Sequence, residues 1–301
     1  MSAADAAWVA ADWGTSNLRA WVMDGAGEVI AALTSDRGMG SLKPAEFEPV
    51  LLDLIAPYFA DRTLPVIICG MAGARQGWVE APYASAPSPP PGAGDAARPE
   101  VSDPRIAVHI LPGVMQDDPP DVMRGEETQI AGFLRGAPGF EGVLCLPGTH
   151  SKWVRIQGGE ITGFATFMTG ELFALLSGQS VLRHSLGGEG WDDAAFQTAA
   201  AEVLDAPERL VAQLFPLRAA SLLQGTSAAA SRARLSGLLM GAELAAARAH
   251  WQGQDIVLVG APGLTALYRT ALQDQGAKVR ETDGSGLALA GLTAAYEEMT
   301  T

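Results

Sequence analysis

The chain has 301 residues, 48% of them hydrophobic, with 20 Lys and Arg against 34 Asp and Glu and a formal charge of −14. That balance excludes the usual nucleic-acid binder, which neutralises phosphates with Lys and Arg, and leaves no basic stripe for an anionic membrane. No apolar run approaches the ~20 residues of a membrane span, and residues 1–7, without Lys or Arg, do not read as a secretory leader.

Three strands open the chain, at about 7–12, 17–23 and 28–35, the last two joined by Asp24-Gly-Ala-Gly27. Phe47, Val50, Leu51, Leu54 and Ile55 fall at helical spacing and predict a helix from Pro44 to about Phe59. Leu64–Cys69 reads as a buried parallel strand, and Ile106–Leu111 as another. Between them, residues 81–104 are rich in Pro, Ala, Gly and Ser and predict a surface excursion without packed secondary structure. Gly125-Glu-Glu-Thr-Gln129 opens a helix to about Leu134, with two carboxylates in the first turn, where the helix dipole favours negative charge.

Strands at 142–146, 151–156 and 160–166 then repeat the opening pattern, joined by Pro147-Gly-Thr-His150 and Gly158-Gly159. The repetition predicts two lobes of similar topology. Helices dominate residues 169–250, with an apolar stripe at Leu235, Leu238, Leu239, Ala242 and Ala246. Asp255–Val259 is a buried strand, Gly260-Ala-Pro-Gly263 leads into a helix at 264–274, and a strand near 277–280 and a helix at 285–298 follow.

Cys69 and Cys145 each end an apolar run. Two cysteines are too few for a zinc site, and they read as buried thiols of a reducing, cytoplasmic compartment. The histidines at 109, 150, 184 and 250 show no ligand spacing. Neither a G-x-x-x-x-G-K-[ST] loop nor a G-x-G-x-x-G fingerprint is present. Instead three Gly-rich turns follow apolar strands: Asp12-Trp-Gly-Thr-Ser16, Leu146-Pro-Gly-Thr-His-Ser-Lys152 and Val259-Gly-Ala-Pro-Gly263. Turns of this kind offer backbone N–H groups and hydroxyls to an anion, and Asp12 is a natural ligand for a hard cation.

In their order and spacing the three turns resemble the phosphate and adenosine motifs of the actin, hexokinase and heat-shock chaperone superfamily. The resemblance implies an α/β protein of two ribonuclease-H-like lobes, the actin-like ATPase fold, with a central cleft. Over nearly the full length the chain resembles the 2-dehydro-3-deoxygalactonokinases. The blocks that carry this are Asp12–Ser16 with Arg19, Gly70-Met-Ala-Gly73 with Gly77-Trp78 and Glu80-Ala-Pro-Tyr83, Arg124–Gln129, Leu146–Trp153, Met168-Thr-Gly-Glu-Leu-Phe173 and Ser236–Glu243.

That resemblance implies transfer of the ATP γ-phosphoryl group to the 6-hydroxyl of 2-dehydro-3-deoxy-D-galactonate, with Mg²⁺. Asp12 would hold the metal. Gly14, Thr15, Ser16 and Arg19 would serve the transferred phosphate, and Gly148, Thr149, His150 and Lys152 the β-phosphate. Lys152 reads equally as a solvated strand residue. Gly260, Ala261 and Gly263 would admit adenosine. Glu126 and Glu127 are the candidates for general base, with a slight preference for Glu127. Arg37 and Arg75 are candidates for the substrate carboxylate, beside Gly38, and Trp78, Glu80 and Tyr83 for the sugar pocket; Thr169–Glu171 reads as a helix start near the cleft. The lobes are expected at residues 1–137 and 138–301, with the last helix free to pack on the first lobe. Rival readings are a kinase of another sugar acid or anhydro sugar, and a non-catalytic sugar-acid sensor. The partners are then ATP and a small sugar acid, and a homodimer stays open.

Overall fold

The structure, a computed structural model, describes residues 6–59 and 62–300; most of the N-terminal residues behind the leader reading lie outside that range. No helix among the described residues is long and apolar enough to cross a membrane. The chain divides into two compact units. Unit 1 holds the residues up to Phe140, Gln157–Gly163 and those from Gly284 on; unit 2 holds Glu141–Ile156 and Phe164–Asp283.

Unit 1 is built on β1 (Ala6–Trp13), β2 (Leu18–Asp24), β3 (Val29–Ser35), β4 (Leu64–Gly70) and β6 (Ile106–Ile110), in the order β3-β2-β1-β4-β6. β1, β2 and β3 form an antiparallel meander, while β4 runs parallel to β1, and β6 to β4. The central strand β1 is buried on both faces, which its unbroken apolar run requires. On one face Val9, Ala11 and Trp13 meet Phe47, Leu51 and Ile55 of α1 (Phe47–Ile55), whose spacing puts all three on one side. The helix read over 44–59 is thus α1 flanked by 3-10 turns at Pro44–Glu46 and Ala56–Tyr58, where Pro57 supplies no N–H donor.

The 81–104 segment is more ordered than its composition suggests. It contributes β5 (Tyr83–Ser85) to a three-stranded sheet with β7 (Gly113–Asp117) and β8 (Pro120–Met123). Ala97 pairs with Ile110 and Ser88 with Ile161, and Ala93 is buried. Backbone pairing with non-local strands satisfies this segment, and local composition does not reveal it.

The second face of the unit 1 sheet is covered by α10 (Gly284–Thr300). Leu292 and Ala295 join Trp8, Ala10 and Ile67, and Tyr296 stacks on Trp8 at 4.3 Å between ring centroids. The last helix therefore belongs to unit 1. α10 crosses α2 (Glu126–Gly136) at two reciprocal glycines: a β-carbon at Gly132 would stand 2.0 Å from Leu287 O, and one at Gly291 2.0 Å from Thr128 O.

Unit 2 repeats the scheme. β9 (Gly142–Leu146), β10 (Ser151–Gln157), β11 (Glu160–Phe167), β12 (Asp255–Val259) and β13 (Lys278–Thr282) take the order β11-β10-β9-β12-β13. β10 is antiparallel to β9, and β12 is parallel to both β9 and β13. The helices are α3 (Thr169–Gly178), α4 (Arg183–Leu186), α5 (Asp193–Asp205), α6 (Leu210–Leu223), α7 (Ala228–Ala246), α8 (Arg248–Trp251) and α9 (Pro262–Gln273). The predicted stripe of α7 is buried at Leu235, Leu238 and Leu239.

Replacing Gly132 or Gly291 with Ala should destabilise unit 1, since overpacking of this kind costs about 1–3 kcal/mol. Gly136→Ala, on the same helix but with nothing within 4 Å of the added carbon, should leave stability unchanged or raise it. Thermal unfolding of the three variants checks the contrast.

Candidate active site

The site in unit 1 begins where β1 and β4 end. Their parallel register sets Asp12 opposite Cys69 and Trp13 opposite Gly70. Gly70 has φ +88°, and a β-carbon there would stand 2.8 Å from Trp13 O and 3.4 Å from Asp12 Oδ1. Gly125, with φ +109°, packs on Gly70: its β-carbon would meet Gly70 Cα at 3.3 Å. Glycine serves at both positions because the backbone is left-handed there and the approach is close. The start of α2, with Glu126 and Glu127, is thereby brought beside Asp12.

Asp12 lies across the hairpin from Arg19, whose Nη2 donates to Asp12 Oδ2 at 2.5 Å. Arg19 is thus tied to the candidate metal ligand. Glu127 is 1% exposed and turned inward. Its carboxylate accepts the Gly125 N–H at 2.8 and 2.7 Å and the Thr128 hydroxyl at 3.3 Å. Burial, and then the charge of Glu126, raise its pKa to about 7, against the pull of the Gly125 N–H and of Arg124. Cys69 is buried beside this pair: burial first, then the charges of Asp12 and Glu127, push its thiol pKa up. Glu126 is only half-buried, and its Oε2 accepts the Arg124 N–H at 3.2 Å.

The Gly14–Ser16 turn is closed by Gly14 N–H to Asn17 O at 2.9 Å, with Thr15 and Ser16 exposed. A second loop is zipped onto it. Met39 N–H donates to Gly14 O at 3.0 Å, Gly40 N–H to Thr15 O at 2.8 Å, and Trp13 Nε1 to Arg37 O at 3.0 Å. A β-carbon at Gly38 would fall 2.2 Å from Ser16 C and 2.4 Å from Thr15 O. Gly38 is therefore a contact point under the turn, and the Arg37 side chain is exposed.

The Met71–Tyr83 segment folds back on itself, with Trp78 N–H to Ala72 O at 2.8 Å and Ala81 N–H to Gly73 O at 2.9 Å. Trp78 packs with Phe47 and Trp13, at centroid distances of 6.0 and 6.2 Å. Arg75 and Glu80 form an exposed ion pair at 3.2 Å. Tyr83 lies under the guanidinium of Arg124 at 4.2 Å.

Unit 2 repeats the buttress. A β-carbon at Gly170 would fall 2.2 Å from Gly148 O and 2.9 Å from Thr149 Cα. The next N–H, of Glu171, donates to Thr149 O at 2.9 Å. The Glu171 carboxylate meets His150 Nε2 at 2.5 Å, so Glu171 acts on the turn as well as in the first turn of α3. Lys152 is buried, not solvated, and its Nζ donates to Thr166 Oγ1 at 2.7 Å. Gly260 lies beside Pro147, its β-carbon position 3.5 Å from Pro147 O. Ala261 O accepts the N–H groups of Leu264 and Thr265, both at 3.0 Å, as α9 begins, and Ala261 and Gly263 are exposed.

Sequence reasoning missed Glu243. It is buried, and accepts from Trp153 Nε1 and Tyr268 OH, both at 2.8 Å, and from the Thr169 hydroxyl. Tyr268 in turn bonds Ser151 at 2.8 Å. Burial raises the Glu243 pKa, and these donors oppose the rise. The network ties Ser151 and Thr169, which flank the Gly148–His150 turn and its Gly170 buttress. A single Glu inside an apolar helical stripe was the available clue.

Two five-stranded sheets of one strand order, each ending its first strand in a Gly-Thr turn, define an α/β protein of the actin-like ATPase fold. Two solved structures share that fold at low identity: component A of (R)-2-hydroxyglutaryl-CoA dehydratase from Acidaminococcus fermentans (13% identity, TM-score 0.51, 98% of this chain and 99% of that one) and an activator of 2-hydroxyisocaproyl-CoA dehydratase from Clostridium difficile with bound ADPNP (12%, 0.50, 97% of each). The chain itself belongs to the 2-keto-3-deoxy-galactonokinase family, whose model matches residues 12–295. It is 42% identical to a Rhizobium meliloti protein named as a probable 2-dehydro-3-deoxygalactonokinase, over 96% of both chains. It is 35% identical to the 2-dehydro-3-deoxygalactonokinase of Escherichia coli, over 95% of this chain and 96% of that one. A crystallised Sinorhizobium meliloti protein assigned to the same activity superposes with a TM-score of 0.90 at 42% identity, over 97% and 99% of the two chains.

The raised pKa of Glu127 has a consequence for stability. The folded state holds this proton up to about pH 7, while the unfolded chain releases it near 4.5. Between those values the native state binds more protons, so this group makes stability fall as pH rises. Glu127→Gln should leave stability near that of the parent at pH 4.5 and gain on it up to pH 7, by about 3 kcal/mol, with no further gain above. Denaturant unfolding at a series of pH values reads the difference.

Proposed function

We propose that the protein phosphorylates 2-dehydro-3-deoxy-D-galactonate at its 6-hydroxyl with ATP, releasing ADP. The observation that carries this reading is the meeting of Asp12 with the Glu126–Glu127 start of α2 across Gly70. It gathers acidic groups at the end of a sheet whose first turn exposes Thr15 and Ser16. Phosphoryl transfer asks the protein mainly for positioning and charge stabilisation, and an edge of fixed turns supplies both.

Gly14, Thr15 and Ser16 bind the transferred phosphate. Gly148, Thr149 and His150 bind the β-phosphate, with Lys152 as a buried positive charge nearby in the same unit, and Gly260, Ala261 and Gly263 receive adenosine. No group of three or more His, Cys, Asp or Glu among the described residues is placed to hold a metal ion by itself. Asp12 nevertheless suits Mg²⁺ carried by a nucleotide, which takes one or two carboxylates and otherwise water and phosphate oxygens. When bound, the ion would neutralise phosphate charge, and Arg19 would hold the Asp12 carboxylate in place for it.

The proton of the sugar hydroxyl goes to Glu126. A base must reach its proton before its pKa matters. Glu126 is partly exposed, while Glu127 keeps both oxygens on the Gly125 N–H inside the protein. Glu127 then shapes the start of α2. A cytoplasmic setting suits Cys69 and Cys145, both free and buried.

A coupled ADP-release assay over purified keto-deoxy sugar acids tests the substrate. Turnover should be highest with the galactonate compound, and higher turnover with an epimer or an anhydro sugar would reassign it. Asp12→Asn should abolish turnover with unfolding unchanged. Glu126→Gln should lower kcat by roughly 10²–10⁴-fold, well beyond Glu127→Gln; the reverse order would move the base to Glu127. Gly38→Ala and Gly170→Ala should each lower kcat/KM for ATP by roughly 100-fold, through turns displaced by an ångström or so.

A further inference from the structure

The proposed substrate carries a carboxylate, and neither arginine picked out by the sequence is built to bind one. Arg37 is exposed on a loop, and Arg75 is exposed and paired with Glu80. A third arginine is different. Arg124, between β8 and α2, is 9% exposed. Its Nη2 donates to Ala81 O at 2.8 Å, and its Cζ lies over the Tyr83 ring. Nε and Nη1 are buried with no hydrogen-bond partner. The neighbouring acids bond backbone: Glu126 accepts the Arg124 N–H and Glu127 that of Gly125, while Glu127 also feels the Arg124 charge.

Buried donors are normally paired, and leaving two of them unpaired on a cation is costly. The group that would satisfy them is a planar anion, because a guanidinium matches a carboxylate with two parallel hydrogen bonds. Gly73 lets the backbone lie directly against the guanidinium: a β-carbon there would stand 2.8 Å from Nη1.

On the sugar-acid kinase reading above, we propose that Arg124 receives the substrate carboxylate and so selects sugar acids over neutral sugars. The position suits the chemistry, two residues ahead of Glu126. Nε and Nη1 are covered in the structure, with the Met71–Tyr83 segment lying against the guanidinium through Gly73, Ala81 and Tyr83. The carboxylate reaches them as that segment gives up the Ala81 bond and the Tyr83 stacking. The gain of a charged pair in place of a neutral carbonyl drives the exchange.

The test uses Arg124→Met and Arg124→Lys in the full chain. For Arg124→Met, KM for 2-dehydro-3-deoxygalactonate should rise by roughly 100-fold, the scale of a lost buried charge pair, while KM for ATP stays within about 3-fold. Tm should change little, since the loss of the Ala81 bond and the Tyr83 contact is set against the removal of two unpaired buried donors. The sugar acid alone should raise the Tm of the parent and not of this variant. Arg124→Lys keeps the charge without the fork, so an intermediate KM is expected; it also serves if the Met variant does not fold. Two results overturn the proposal. One is a lowered Tm with KM for the sugar acid unchanged, which makes Arg124 a tie between Ala81 and Tyr83. The other is a rise in KM for ATP instead, which makes it a phosphate ligand. A parent that phosphorylates no sugar acid refutes the kinase reading itself, whereas a normal parent with an unaffected Arg124→Met refutes only this inference.

Discussion

The close approach of backbone to backbone at Gly70 and Gly125 is the constraint on which the unit 1 site depends. β1 and β4 are ordinary buried parallel strands, and neither alone makes a site. What matters is that β4 ends on a left-handed residue with no side chain, so that α2 can begin against it. Asp12, Cys69, Glu126 and Glu127 then share one small region. A side chain at either glycine would push α2 away from Asp12 and break up this acidic group.

The same economy recurs in both units. Each candidate phosphate turn rests on a glycine that follows the third strand of its sheet, Gly38 after β3 and Gly170 after β11. Each threonine carbonyl, of Thr15 and Thr149, accepts a backbone N–H from that buttress. Both buttresses grip the turns through carbonyls and bare backbone, not through the turns' N–H donors, of which that of Gly14 closes the hairpin on Asn17 O. In unit 2 the Glu243 network stiffens the flanks further, at Ser151 and Thr169.

Electrostatics divides the acidic residues by depth. With a formal charge of −14 the chain as a whole repels anions, so any anionic ligand depends on local groups: turn N–H donors, buried Lys152 and buried Arg124. Glu126 and Glu127 are adjacent in sequence yet differ because one is half-exposed and the other sealed. Burial, ahead of the charge of Glu126, is what raises the Glu127 pKa.

Much of this was legible in the chain itself. The strand–turn–strand repeats, the Gly-rich turns and the blocks around Arg124, Gly148 and Glu243 establish the fold class and the family, because periodicity and turn chemistry are local properties. The strands at 83–85, 113–117 and 120–123 were not legible: the first pairs with a strand distant in sequence, and the other two form a hairpin whose composition is that of loops. Nor could sequence tell that Trp78 packs with Trp13 and Phe47, that Lys152 is buried, or that Arg19 holds Asp12. The ranking of Arg124 above Arg37 and Arg75, and of Glu126 above Glu127, came from tertiary structure alone. Residue type determines what a side chain can do; whether it is solvated, paired or stranded depends on neighbours that only folding brings together.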